Sequence, residues 1–124
     1  MDYTIVKTVA HDTMPVDIEF AWTYEDQPLA DAFDDTEEQI AEMYEKINNY
    51  DLTWFVARVR VMYQNSELGS AYLGGNLYDD VEKAFEDRLG GHLDDMIDEA
   101  MEEAQAYAAT MVGALKNFNP AHDV

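Results

Sequence analysis

Six carboxylates crowd one ten-residue stretch of the chain: Asp94, Asp95, Asp98, Glu99, Glu102 and Glu103. Carboxylates at this density can coordinate a hard cation, exchange protons with a substrate, or accept charge-assisted hydrogen bonds from Arg and Lys of a partner. Their i, i+4 spacing stacks them on one face of a helix, neighbours about 5–6 Å apart. Asp34, Asp35, Glu37, Glu38, Glu42 and Glu45 form a second group of comparable density. Residues 25–45 carry nine acids and no base, and residues 79–103 carry eleven with only Lys83 and Arg88, so twenty of the 27 acids fall in two windows.

The catalytic and metal uses of these groups lack the companions they need. The three histidines, His11, His92 and His122, stand in no HExxH or ExxH arrangement of the kind a zinc or di-iron helix site requires. No twelve-residue calcium loop occurs, although Asp94, Asp95 and Asp98 offer oxygens for loose calcium or magnesium binding. Ser66 and Ser70 have no histidine placed to activate them, and Leu73-Gly74-Gly75-Asn76 lacks the lysine and spacing of a phosphate loop. The chain has no cysteine, which excludes a disulfide framework and a thiolate nucleophile and favours an intracellular, cytoplasmic setting. No catalytic residue, metal ligand or cofactor is therefore expected, and the third use of the carboxylates is left.

The elements that must carry them are legible from periodicity. In residues 16–24, Val16, Ile18, Phe20, Trp22 and Tyr24 alternate with Asp17, Glu19, Ala21 and Thr23, the period of a half-buried strand. Residues 3–9 read as its partner across a turn at residues 11–15. A third strand spans residues 52–63, with Phe55, Ala57, Val59, Val61 and Tyr63 on one face, and Gln64-Asn65-Ser66-Glu67 turns it back into a short fourth strand, 68–73, that stops at Gly74-Gly75. Arg58 and Arg60 share a strand face and are expected to pair with Asp17 and Glu19. A helix over residues 36–48 presents Ile40, Met43, Tyr44 and Ile47 as one stripe, and Thr36 followed by Gln39 is a capping-box pattern. A shorter helix begins at Asp79 or Asp80 and ends at Gly90-Gly91. The last and longest helix, residues 93–118, carries Leu93, Met96, Ile97, Ala100, Ala104, Ala108, Met111, Val112 and Leu115 on one side, is about 40 Å long, and is stopped by Pro120. These elements predict one α+β domain over residues 1–124, a small antiparallel sheet of three to four strands packed against helices. Trp22, Trp54, Phe55, Tyr44 and the methionines are the expected core.

The balance of charge narrows the function. With 27 acids against 7 bases the formal net charge is -20, and self-repulsion on that scale opposes folding. Anionic lipid and nucleic acid are repelled; basic proteins, cations or brine are the natural counterparts. No apolar run approaches the length of a membrane span, and the N-terminal residues lack the pattern of a signal peptide. Twenty net charges match about ten base pairs of duplex at one charge per about 1.7 Å.

In these respects the chain resembles the small, acidic, cysteine-free anti-defence inhibitors encoded by phages, anti-CRISPR and anti-restriction proteins that mimic DNA. The stretch Leu68-Gly69-Ser70-Ala71-Tyr72-Leu73-Gly74-Gly75-Asn76-Leu77-Tyr78, followed by an acidic helix, also looks like small phage accessory proteins. The resemblance covers the C-terminal half and rests on charge, so it transfers no individual residue. It implies a non-enzymatic inhibitor acting in the host cytoplasm. Its partner would be a basic nucleic-acid-binding protein, such as a CRISPR effector or restriction enzyme, engaged by the acids of 34–45 and 94–103. Two other readings accompany it. One is a halophilic protein whose acids hold water in brine; the other is an assembly module that forms a homodimer through Tyr107, Met111 and Phe118.

Overall fold

The computed structural model describes residues 2–117; the expectations that fall on Phe118, Pro120 and His122 lie outside them. Four strands, β1 (Thr4–Ala10), β2 (Asp17–Tyr24), β3 (Thr53–Tyr63) and β4 (Ser66–Tyr78), form an antiparallel meander in the order β1-β2-β3-β4. Gln64 and Asn65 both adopt positive φ, 47° and 68°, between the paired residues Tyr63 and Ser66. That is the two-residue turn whose twist matches the flanking strands.

Alternation gives the sheet two unlike faces. One presents Ile18, Phe20, Phe55, Ala57, Val59, Val61 and Ala71 to the helices that follow the last strand, and this is the core. Phe55 is fully buried at its centre, with its ring centroid 6.0 Å from that of Trp22, 5.9 Å from Tyr78 and 6.4 Å from Phe85. The other face presents Glu19, Ala21, Thr23, Trp54, Arg58 and Arg60.

β4 runs past Gly74-Gly75, beyond the expected end at Leu73. The ladder there shifts register between Phe55 and Ala57, and Gly75 takes φ 75°. The buried Asn76 amide spans the irregularity, donating to the carbonyl oxygens of Phe55 (3.1 Å) and Leu73 (2.7 Å). Side-chain hydrogen bonds thus replace the missing ladder bonds, and the strand continues where the glycines alone signal a stop.

Among the described residues there are four α-helices, α1 (Leu29–Ala32), α2 (Glu37–Asn48), α3 (Val81–Glu86) and α4 (His92–Asn117). The single turn α1 has no periodicity a sequence could display. α2 starts as expected, with Gln39 N–H donating to Thr36 Oγ1 (3.2 Å) and Thr36 N–H donating to Gln39 Oε1 (2.9 Å). α3 ends four residues before Gly90, because the chain turns through left-handed conformations at Arg88, Leu89, Gly90 and Gly91, with φ of 58°, 49°, 66° and 97°. Two of these residues carry side chains, an arrangement that costs about 1–2 kcal/mol for each. Complete burial of Leu89 and the tie from Arg88 to Asp94 offset that cost. The turn sends α4 back across β4 and β3, where it buries Leu93, Met96, Ala100 and Ala104.

Candidate functional site

α4 is held against the sheet by a close approach of backbone. Gly69 on β4 faces Ala100 and Ala104, and a Cβ at that position would lie 2.7 Å from the Ala104 nitrogen and closer still to the Ala100 carbonyl oxygen. Only glycine leaves room for the helix there. The small faces of Ala100 and Ala104 complete the fit, and the opposite face of the helix is fixed outward as a result.

That outward face carries the predicted carboxylates. Asp94, Asp95, Asp98, Glu99, Glu102 and Glu103 are all exposed. Asp94 is already engaged: Arg88 Nε donates to its Oδ1 at 2.9 Å, and this hydrogen bond holds the Asp94 carboxyl below its ordinary value and raises that of the guanidinium. Among the described residues no Lys, Arg or His lies within ion-pair distance of the other five. They form a row about 12 Å long from Asp95 to Glu103.

Glu82, Glu86 and Asp87 are exposed on the stretch that runs directly into the turn before α4, and Glu82 and Glu86 border a cleft of about 410 Å³ with Lys7 and Arg88 at its rim and Val6, Phe20, Phe85 and Leu93 in its floor. Sequence reasoning counted these three acids in the dense window without placing them with the α4 row. Between them and α4 stands the reversal at residues 88–91, which no periodicity announces.

Asp34, Asp35, Glu37, Glu38, Glu42 and Glu45 are exposed too, but on a different support. The segment bearing α1 and α2 covers Trp54, on the sheet face away from α4. Trp54 Nε1 donates to the Gln27 carbonyl (2.8 Å), the Phe33 ring centroid lies 5.7 Å from the indole, and Leu29 N–H donates to the Tyr44 hydroxyl (3.2 Å). The structure therefore gathers the α4 acids on one exposed helix face, and the acids of 34–45 stand on a separate support over the other face of the sheet.

The arginines are consumed internally. Glu19, 7% exposed, accepts from Arg60 at Nε (2.9 Å) and Nη2 (3.1 Å) and from Arg58 Nη2 (3.0 Å). Asp17, the other expected partner, stands opposite Met62 in the ladder, whereas Glu19 stands opposite Arg60 and one step diagonally from Arg58, so Glu19 alone reaches both. The Arg58 guanidinium also lies 3.9 Å from the centroid of the Tyr3 ring. Burial, with the nearby Tyr72, pushes the Tyr3 phenol above its ordinary value.

The histidines serve local structure where they are described. His11 Nδ1 accepts from the backbone N–H of Thr13 (3.1 Å) and Met14 (3.2 Å), organising the β1–β2 turn, and His92 opens α4 in an exposed position. Among the described residues no three His, Asp or Glu side chains converge as metal ligands, and no helix is long and apolar enough to cross a membrane. In comparisons with known proteins, the chain matches no family model, no curated protein and no solved structure.

Proposed function

We propose that this chain is a non-enzymatic inhibitor that docks on a basic nucleic-acid-binding protein and occupies its nucleic-acid site by charge mimicry. The observation that carries the reading is the uncompensated row Asp95, Asp98, Glu99, Glu102 and Glu103 on a helix locked against the sheet at Gly69. Like charges at i, i+4 each cost a few tenths of a kcal/mol in the free protein, and a partner rich in Arg and Lys removes that cost on binding. Because the helix is fixed by its buried face, the row is presented without the ordering entropy a flexible acidic tail would lose. Pairing of Arg58 and Arg60 with Glu19, and of Arg88 with Asp94, keeps three cations from opposing the row.

The chemical class of partner is a DNA-binding groove lined by Arg and Lys, of the kind a restriction enzyme or CRISPR effector presents. The test follows the fluorescence anisotropy of a labelled duplex bound to each of several such enzymes while this protein is titrated in at two salt concentrations. Displacement of the duplex is expected from at least one of them. It should weaken steeply with salt, and by about tenfold or more when Asp98→Lys and Glu102→Lys are combined. Displacement that ignores both salt and charge reversal, or a failure to displace DNA from any enzyme tested, would overturn the reading.

A further inference from the structure

Two departures from regular backbone meet at the cleft of about 410 Å³ beside β1. The ladder pairs Ile5 with Ala21 and Lys7 with Phe20, so Val6 is an extra residue, a bulge on the edge strand. Consecutive residues of a regular strand point to opposite faces, yet across the bulge Val6 and Lys7 both border the cleft, on the face that carries Phe20. The opposite rim is supplied by the left-handed reversal, which places Arg88 there. Each irregularity delivers a cation to the same opening, and the two are drawn from only seven Lys and Arg in the chain.

Both cations keep donors to spare. Lys7 has no ion-pair partner among the described residues, and Arg88 bonds Asp94 through Nε and Nη2, which leaves Nη1 over. Glu82 and Glu86, one turn apart on α3, share the rim and are likewise without an ion-pair partner among the described residues. Between the rims lie the rings of Phe20 and Phe85, with centroids 6.3 Å apart. The volume falls in the range of about 300–1,000 Å³ usual for small-molecule sites. An edge strand also uses an inward lysine to deter a second strand, but that role needs neither a guanidinium across the opening nor an aromatic floor.

We infer that the cleft binds a small zwitterion with an aromatic group, of the class of a free aromatic amino acid. Its carboxylate accepts charge-assisted hydrogen bonds from Lys7 and Arg88, its ammonium donates to Glu82 and Glu86, and its ring packs on Phe20 and Phe85. Charge selects this class. A simple anion is opposed by the two glutamates and by the net charge of -20, and a simple cation is opposed at close range by Lys7 and Arg88. A molecule of no net charge that carries both groups is opposed by neither. The site stands independently of what the acidic row on α4 engages.

Isothermal titration calorimetry of the full chain with phenylalanine, tyrosine and tryptophan tests the inference. Saturable binding of at least one of them at a single site is expected. Phenylalaninamide, which lacks the carboxylate, 3-phenylpropionate, which lacks the ammonium, and alanine, which lacks the ring, should each bind at least about tenfold more weakly. Lys7→Met should erase the preference for the amino acid over its amide, and Glu86→Gln the preference over 3-phenylpropionate, with the far-ultraviolet circular dichroism of both variants unchanged. Absence of saturable binding by all three amino acids, equal binding of the truncated analogues, or an affinity that ignores Lys7→Met overturns the proposal. A Lys7→Met chain that self-associates, from a parent that binds none of the three, would show the lysine to be an edge guard and overturn it as well.

Discussion

The chain carries two acid-lined helices on two unlike mounts. α4 buries four side chains against β3 and β4 and is seated through the absent side chain of Gly69, whereas α2 buries none and is attached through Ile40, Met43 and Ile47, each only half-covered. Similar carboxylate density therefore has different mechanical consequences. Repulsion along α4 is held in place by the core of the domain, and repulsion along α2 by a capping box and a few partly buried contacts. A surface meant to match a rigid groove belongs on the first kind of support.

The sharpest way to break this contrast is Gly69→Ala. The added methyl would meet the backbone of Ala100 and Ala104, so α4 must shift off the sheet, and a loss of about 3 kcal/mol is expected by urea denaturation. A loss near zero would mean that α4 is held no more tightly than α2. The matching change on the other mount is Thr36→Ala, which deletes the cap of α2. It should cost about 1 kcal/mol, visible as faster amide exchange within Glu37–Asn48 and with little change in the amides of β3.

The smallest effect is electrostatic and lies at the start of α4. The Arg88 hydrogen bond lowers the Asp94 carboxyl below its ordinary value of 3.8, so its stabilising contribution is present above that pH and is lost as pH falls through the lowered folded value. Asp94→Asn should accordingly flatten the acid limb of the thermal midpoint below pH 3.8 and leave the midpoint near neutrality little changed, since the pair is exposed to solvent.

Much of this was legible in the order of residues. The alternation in residues 16–24 and 52–63 located β2 and β3, Thr36 and Gln39 located the start of α2, and the stripe from Leu93 onward located α4. These signals are local, set by neighbours a few positions apart. The features that escaped depend on distant partners. β4 continues past its glycines because Asn76 reaches Phe55 across the sheet, and α3 stops early because burial of Leu89 and the bond to Asp94 hold a left-handed turn. Pairing of both arginines with Glu19 depended on strand register, which residue types alone leave open between Asp17 and Glu19. The acids of the candidate surface were likewise visible one by one, and the separation of the α4 row from the acids of α2 required the fold.

The cover over Trp54 makes the protein its own optical reporter. The two indoles sit on opposite faces of the sheet, Trp22 beside Phe55 in the core and Trp54 beneath Phe33 with its N–H bonded to Gln27. If the α1–α2 segment swings away while the meander stays intact, the emission of Trp54 moves to longer wavelength and that of Trp22 does not. Opening of the segment and collapse of the sheet are therefore separable events in a stopped-flow trace, each with its own amplitude and rate.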